Sequence, residues 1–468
     1  QSLKINEFGA WKFNEVLLDF KPDIVFNFTD WWMSEYIERS PLRRHYHYAH
    51  MPTVDALPLD DQWIATYKGV DSLFSYTDWG VKVLRDYGLN PIGSAPPGAD
   101  LGVYYPKGNK QQTKQTMGLP ENALVVGTVM RNQIRKLFPD LIQAFSLFLE
   151  RAPASIAERS YLYLHTGFPD MGYHIPRLIK ESGCARRILM TYVCGTCRAA
   201  YGSVYTDVRN TCKKCGSYNV TLVNSTAGIP NEQLADIYNL FDLYVQYSTA
   251  EGMGMPQVEA AACGVPVASV DYSAMEDVVR KLNGRPLKVL RFNREPNTHR
   301  LFAYPDNEDL ASYLAEFLSL PEPVRSGKGK QARDGVLKHY TYERTASIWE
   351  ACFDAVEPPH TWLSPARLVA PSVVPPEGLT DDEYVRWCIS YVAGRPDLAD
   401  SYMGLRLSRD LSWRTSCGGM GGISLNDMSA VGIETDAKSN PYDRNDVLNQ
   451  CLAIAEEYNK WEKKRTSI

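Results

Sequence analysis

Short apolar runs alternate with amphipathic segments along most of the chain. Residues 123–130, 160–166 and 243–247 are apolar or aromatic and are bounded by polar residues, a pattern typical of buried strands. Between these runs, residues 138–149 and 231–241 carry apolar side chains every three or four positions, as helices with one buried face do. This alternation predicts the α/β fold class, with helices between the strands of open sheets.

The same alternation divides the chain into segments. Residues 1–107 form a predicted N-terminal α/β domain, in which Thr77 is the N-cap of a helix and Gly88 ends it. Residues 120–355 form a second, Rossmann-like α/β domain. After a proline-rich linker, residues 380–468 form an accessory C-terminal segment that carries no motif with a known chemistry. A capping box of Thr380 and Glu383 is predicted to open the first helix of this segment.

Composition narrows the class of protein. The chain has 468 residues, 44% of them hydrophobic and 22% charged, which is typical of a globular protein with two or three domains. No run of eighteen apolar residues occurs, so we expect no membrane span. The net charge of −5 argues against a protein that coats nucleic acid with its whole surface. The chain opens with Gln1 and not with Met, so the lack of a signal-peptide pattern is weak evidence about targeting.

Four of the ten cysteines form two CxxC pairs inside a predicted insertion at 192–218. Thiolates at this spacing provide the four ligands of a tetrahedral, structural zinc, as in a zinc ribbon; the ligands would be Cys194, Cys197, Cys212 and Cys215. A disulfide pair or a redox motif would not explain two matched pairs. Metal-binding thiols favour a reducing compartment, so we expect the cytoplasm, or a host cytoplasm if the protein is viral. The insertion is mildly basic, and contact with nucleic acid and capping of a sheet edge both remain open.

The most informative stretch is EGMGMPQVE at 251–259, which has a carboxylate at each end. A buried strand precedes it, and Pro256 is suited to the first turn of a helix. The glycines between the acids allow close approach of a ligand to the backbone, and a helix start offers free N–H groups to an anion. The pattern therefore predicts an anion-binding loop at the edge of a sheet.

The stretch continues as EAAACGVPV to residue 267, and the whole phrase resembles the donor-binding half of retaining glycosyltransferases of the GT-B fold, family 4. Residues 94–106 resemble the passage that leads out of the N-terminal domain in that family. The resemblance implies twin Rossmann-like domains and a nucleotide-sugar donor, with no catalytic metal. The opening strand and glycine-rich loop of the family are not found, so we expect either that the chain is a fragment or that its N-terminal, acceptor-side domain is shortened.

The resemblance also implies roles for individual residues. Arg131 and Lys136 match a pair that grips the donor diphosphate, because fixed cations stabilise the charge that grows on a departing diphosphate. Glu251 would contact hydroxyls of the transferred sugar, and Glu259, at the start of its helix, would accept hydrogen bonds from the ribose. The remaining contacts would come from the loop backbone and from a base-binding loop: Gly252, Met253, Gly254, Met255 and Gly228.

Two histidines are further candidates for the cleft. His50 stands where the family often has a histidine near the transferred sugar, although a purely structural role is an equal alternative. His165 ends a predicted strand, and the carboxyl ends of strands in open α/β sheets face the ligand. Met130 and Leu137 replace glycines that the family has around the Arg131 and Lys136 pair, which predicts a stiffer loop.

The predicted activity is transfer of a sugar from a UDP- or GDP-type donor to an acceptor hydroxyl, most simply that of a glycan. A viral-type transferase that modifies a hydroxylated DNA base is one alternative, and an inactive binding protein with the same fold is another. Hydrolysis of glycosides would not need a diphosphate grip, and no lysine motif for pyridoxal phosphate is present to indicate a phosphorylase. The sequence predicts neither the donor sugar nor an oligomeric state.

Overall fold

A computed structural model describes residues 7–357, except 41, 207–209, 225–227 and 297, together with 376–392 and a few later positions. These later positions are 399, 408, 411, 444–445, 447–449 and 451–452. The predicted linker and most of the accessory segment at 380–468 therefore lie outside the described residues. Among the described residues, no helix combines the length and the apolar character that crossing a membrane would require.

The N-terminal part of the chain forms a parallel sheet of four strands. The strands lie in the order β1 (Ile24–Asn27), β2 (His47–His50), β3 (Ser72–Ser75) and β4 (Gly93–Ser94). The helices of this part are α1 (Ala10–Phe20), α2 (Trp31–Glu38), α3 (Asp61–Lys68) and α4 (Asp78–Asp86). Thr77 caps α4 as predicted, because its hydroxyl accepts a hydrogen bond from the Gly80 amide at 3.2 Å. Gly88, beyond the end of α4, has the predicted left-handed backbone, with φ of 74°.

The second sheet is larger and has strands in the order β12-β11-β10-β5-β6-β7-β8. Its strands are β5 (Leu124–Val129), β6 (Ser160–His165), β7 (Ile188–Cys194), β8 (Ala200–Val204), β9 (Val220–Leu222), β10 (Leu243–Gln246), β11 (Val267–Val270) and β12 (Arg285–Leu287). The helices are α5 (Lys110–Met117), α6 (Phe138–Arg151), α7 (Ala154–Ala157), α8 (Ile175–Glu181), α9 (Asn231–Leu240), α10 (Met255–Ala262), α11 (Ala274–Lys281), α12 (Asn307–Ser319) and α13 (Glu322–His339). Two large apolar clusters draw on this sheet and its helices. The predicted α/β fold class is confirmed.

The cysteine-rich insertion extends one edge of this sheet. Both β8 and β9 pair with β7 in antiparallel orientation. Residues 220–223 belong to the main sheet, since β9 lies beside the extended end of β7. The antiparallel edge places both CxxC pairs at the same end of β7.

A second antiparallel element was not predicted. Strands β13 (Val289–Arg294) and β14 (Leu301–Pro305) form a two-stranded hairpin that follows β12. Nearly all of β13 is exposed, so its sequence lacks the alternation of buried and exposed positions that marks a strand. The hairpin reaches the N-terminal part of the chain, where the Leu301 amide donates to the Leu57 carbonyl at 2.6 Å.

The last well-described helix of the main body, α14 (Tyr342–Phe353), crosses back to the first sheet. Trp349 and Phe353 pack edge-on against Phe26 of β1, with ring centroids 5.0 and 5.3 Å apart. Further on, Thr380 and Glu383 form the predicted capping box of α15 (Asp381–Trp387).

Candidate active site

The loop after β10 lies where the two parts of the chain meet. A side chain added at Gly252 would collide with the methyl group of Thr53, which follows β2 in the N-terminal part. Gly254 has a left-handed backbone, with φ of 76°, and immediately precedes α10. Met253 is buried, whereas Met255 is the first residue of α10. The glycines therefore permit the close approach of the two walls of a cleft.

Glu251 is the centre of a buried hydrogen-bond cluster in this loop. Its Oε1 atom accepts from Lys136 Nζ, from Gln246 Nε2 at 2.8 Å and from Ser248 Oγ at 2.7 Å. Its Oε2 atom accepts from Arg135 Nη1 at 2.9 Å. Only 7% of the Glu251 side chain and 8% of the Lys136 side chain are exposed. The Glu251 carboxylate thus binds both cations in the loop after β10.

Ser273 holds the backbone of Glu251 from the other side. The Glu251 amide donates to Ser273 Oγ at 3.1 Å, and the Ser273 hydroxyl also lies 3.2 Å from the Glu251 carbonyl. Ser273 itself has φ of 57° and ψ of −150°, a backbone conformation that side chains rarely adopt. This strained residue lies beside the acidic loop, and backbone strain of this kind is typical of functional sites.

The charges of the cluster perturb one another. Burial, and then the Arg135 guanidinium, lower the pKa of Lys136, whereas the Glu251 carboxylate that it contacts favours the charged form. Burial also lowers the pKa of Arg135. The carboxylates of Asp55 and Asp30, in the N-terminal part, oppose this shift by raising the pKa. A buried lysine beside a half-buried arginine requires an anion, and a ligand phosphate would serve as well as Glu251.

Arg131 lies apart from this cluster. Its guanidinium pairs with Asp170 at 3.1 and 3.2 Å, and 56% of its side chain is exposed. The cation that joins Lys136 at Glu251 is instead Arg135, which sequence reasoning missed. The adjacent basic residues at 135 and 136, at the end of the loop after β5, were the available signal. The role of Arg131 in binding a diphosphate stays a prediction.

Glu259 lies in the second turn of α10, and not at the start of the helix as expected, because α10 begins at Met255. Its Oε2 atom accepts a hydrogen bond from the Tyr238 hydroxyl at 2.7 Å. Burial raises the pKa of Glu259, and the Tyr238 bond opposes that shift. Gly228 precedes α9, and a side chain added there would meet no atom within 4 Å. The space beside Gly228 is therefore open.

Both candidate histidines end strands and are held by hydrogen bonds. His50 ends β2, is fully buried, and its Nδ1 atom lies 3.2 Å from the Asn27 carbonyl oxygen. His165 ends β6, and its Nδ1 atom lies 2.8 Å from the Thr191 hydroxyl. Burial lowers the pKa of each histidine to about 4. Both rings are therefore neutral at physiological pH.

The four cysteines of the insertion converge. Their sulfur atoms all lie within 4.8 Å of one another, and the Cys194–Cys215 and Cys197–Cys212 sulfur pairs are 3.6 Å apart. A disulfide bond would require about 2.05 Å, so these are free thiols. Four sulfurs about 2.3 Å from a central ion are the donor set of a structural zinc site. The cluster is compatible with zinc.

Parts of the chain are similar to known proteins. Residues 207–334 match the family described as "Glycosyl transferases group 1". A D-inositol 3-phosphate glycosyltransferase of Rhodococcus opacus is 29% identical over 206 residues, which are 44% of this chain and 38% of the relative. The corresponding protein of Rhodococcus erythropolis is 26% identical over 280 residues, 59% of this chain and 52% of the relative. The chain thus spans about two fifths to one half of the length of these relatives.

Solved structures show the same fold. Sucrose-phosphate synthase from Thermosynechococcus elongatus aligns with a TM-score of 0.54 at 17% identity, covering 74% of this chain and 78% of that chain. Anabaena HepE in complex with UDP and glucose aligns with a TM-score of 0.53 at 13% identity, covering 75% and 83%. The fold and the site together define a GT-B-type protein. It carries a glycosyl transferases group 1 segment and an added cluster of four cysteines.

Proposed function

We propose that the protein is a retaining glycosyltransferase that uses a UDP- or GDP-type sugar donor and an acceptor hydroxyl, most simply that of a glycan. The observation that carries the proposal is the buried cluster of Glu251 with Lys136 and Arg135, at the loop that carries the glycosyltransferase phrase. Two cations suit a diphosphate because they balance its negative charge. The glycine-rich loop beside them allows the backbone to approach the ligand closely. The structure of HepE with UDP and glucose supports the donor class.

In the proposed reaction, the bond between the sugar carbon and the diphosphate oxygen breaks, and its electron pair leaves with the diphosphate. The acceptor oxygen forms the new bond on the face from which the diphosphate departs, and a diphosphate oxygen takes the acceptor proton. Lys136 and Arg135, with Arg131 if it turns from Asp170, neutralise the leaving group. Glu251 binds hydroxyls of the sugar, Glu259 binds the ribose, and the amides of residues 252–255 hold the sugar or a phosphate.

We also infer that Cys194, Cys197, Cys212 and Cys215 bind a structural zinc. Their sulfur separations support this, since four thiolates leave no open position for a substrate. The ion would tie the end of β7 to the turn between β8 and β9. Four free thiols also favour a reducing compartment, so we propose the cytoplasm as the site of action.

A transfer screen tests the function. UDP-, GDP- and ADP-sugars are offered with glycan acceptors, with and without DNA, and donor hydrolysis and transfer are measured for the wild type and for Glu251→Ala and Lys136→Ala. We expect transfer by the wild type and a loss of at least a hundredfold in kcat/KM in both variants. Unchanged transfer in both variants would show that the site is misassigned. Transfer to DNA and to no glycan would favour the nucleic-acid acceptor, and no transfer from any donor would favour a binding protein.

A further inference from the structure

The cysteine-rich insertion is joined to α9, a helix of the main domain, by one side chain. Gln233, in the first turn of α9, reaches the backbone that follows Cys197. Its Oε1 atom accepts a hydrogen bond from the Ala200 amide at 2.8 Å, and its Nε2 atom donates to the Arg198 carbonyl at 3.2 Å. Both polar atoms of the Gln233 amide are therefore bonded to the backbone of the insertion.

The turn that Gln233 contacts belongs to the first CxxC pair. The Arg198 amide donates to the Cys194 carbonyl at 2.9 Å, and the Cys194 amide donates to the Ala199 carbonyl at 3.0 Å. Arg198 has φ of 59°, a left-handed conformation that is costly for a residue with a side chain. Strained backbone persists only where its surroundings hold it, and a metal bound by Cys194 and Cys197 would do so. We therefore expect the turn to relax when the metal is lost.

The insertion stays attached to the domain without Gln233. Strands β8 and β9 both pair with β7, and the Lys213 ammonium donates to the Met117 carbonyl at 2.7 Å. The two bonds of Gln233 are additional to these attachments, so their main effect falls on the other partner, α9. Gln233 fixes the start of α9 to the metal-binding turn.

Helix α9 carries two contacts of the proposed donor site. Gly228, beside which space is open, lies three residues before the helix. On the helix itself, the Tyr238 hydroxyl donates to Glu259 Oε2 at 2.7 Å. In the proposed function, Gly228 and Glu259 hold the base and the ribose, whereas Lys136 and Arg135 hold the diphosphate. A shift of α9 would thus change the nucleoside half of the donor site and leave the diphosphate half in place.

The chain around Gly228 is attached to the insertion on both sides. The Val223 amide, just after β9, donates to the Thr191 carbonyl of β7 at 3.1 Å. Ten residues later in the chain, Gln233 returns to the turn at Arg198. Gly228 stands midway between these two attachments. Fixing both ends of a short segment lowers the conformational entropy that ligand binding would otherwise have to remove.

We propose that the cysteine-rich insertion supports the nucleoside half of the donor site, with Gln233 as the positioning residue that couples the metal-binding turn to α9. This role rests on the proposed function, because it requires a nucleoside diphosphate to bind beside Gly228 and Glu259. The added cysteine cluster then contributes to donor affinity through α9. Loss of the metal and loss of the Gln233 amide should loosen the same contacts.

The test separates the two halves of the donor with two probes, a nucleoside diphosphate (UDP or GDP) and inorganic pyrophosphate. Calorimetry measures the Kd of each probe for the zinc-loaded wild type and for Gln233→Ala. This variant loses two hydrogen bonds, so we expect the Kd for the nucleotide to rise about tenfold and the Kd for pyrophosphate to stay unchanged. In transfer assays, the KM for the donor should rise while kcat is kept. Lys136→Ala, by contrast, should weaken both probes.

Removal of zinc by a chelator is the second arm. It should raise the Kd of the wild type for the nucleotide to a similar extent and add little in Gln233→Ala, because both changes act through one pair of hydrogen bonds. Gln111→Ala is the matched control. It removes the same amide from α5, where the bonded partner is Glu121 and not the insertion, and it should leave both Kd values unchanged.

An unchanged Kd for the nucleotide in Gln233→Ala, or an equal weakening of both probes, would overturn the role of Gln233. Fully additive effects of zinc removal and Gln233→Ala would refute the coupling between the metal-binding turn and α9. If the wild type binds no nucleotide, the proposed function fails, and hydrogen exchange decides the coupling. Exchange of the α9 amides should be faster after zinc removal and in Gln233→Ala, and equal protection in all three forms would refute the coupling.

Discussion

Replacing Glu251 by glutamine tests the central claim that one carboxylate balances the buried Lys136 and the half-buried Arg135. Glutamine keeps the shape and part of the hydrogen bonding, but it removes the charge between Lys136 and Arg135. Removing one partner of a buried ion pair typically costs about 3–5 kcal/mol. Lys136 is 8% exposed, so it suffers most of this loss, whereas Arg135 is 35% exposed and is partly solvated. We therefore expect a loss near the lower limit, about 3 kcal/mol.

Such a loss is large beside the stability of about 5–15 kcal/mol that is usual for folded proteins. Urea unfolding monitored by circular dichroism measures it. UDP provides a second measurement, because its diphosphate supplies the anion that the variant lacks. We expect UDP to raise the unfolding midpoint more in Glu251→Gln than in the wild type, provided that the variant still binds UDP at the concentration used.

The control is Glu308→Gln, which breaks the exposed ion pair of Glu308 with Arg151. Exposed pairs contribute little to stability, so the control should unfold like the wild type. If Glu251→Gln also unfolds like the wild type and responds to UDP in the same way, the reasoning about these two cations is refuted.

Three further predictions follow from individual residues. Burial lowers the pKa of His50 to about 4 from 6.5, so the unfolded chain takes up the proton first and stability falls as the pH drops from 6.5 to 4. The fall from His50 is up to about 3 kcal/mol, and His50→Gln should remove this contribution from the pH profile of urea unfolding, whereas the contribution of His165 should remain. The purified protein should contain one zinc per chain by elemental analysis, and Cys197→Ser should lower that content; a zinc-free wild type would contradict the cluster. Gly252→Ala should lower kcat, because the new methyl group collides with the Thr53 methyl. Adding Thr53→Ser to Gly252→Ala should restore the activity. The control is Gly93→Ala, where the added carbon meets no atom, and it should leave kcat unchanged.

Local signals in the sequence predicted local structure well. Thr77 and the capping box of Thr380 with Glu383 form as expected, because a cap depends on residues three positions apart. The two CxxC pairs also predicted the cysteine cluster, since each pair forms its own tight turn. The α/β fold class followed from the periodicity of the buried strands and helices.

Contacts between distant segments could not be read in the same way. The spacing of the family motif pointed to Arg131, but the course of the loop after β5 brings Arg135 to Glu251. The antiparallel pairing of β9 with β7 could not be read from the sequence, because the two strands are not adjacent in the chain. The hairpin of β13 and β14 was missed because β13 is almost entirely exposed and carries no alternating pattern.

The sequence by itself thus determined the fold class, the acidic loop and the thiol ligands, because each depends on periodicity or on neighbours within a few residues. The tertiary structure decided which cations meet Glu251 and which residue of the N-terminal part, Thr53, lies against the Gly252 loop. Arg300 beside the hairpin strand β14 is 245 positions away from its ion-pair partner Asp55. Contacts of this kind depend on how distant segments pack, which no local pattern in the sequence records.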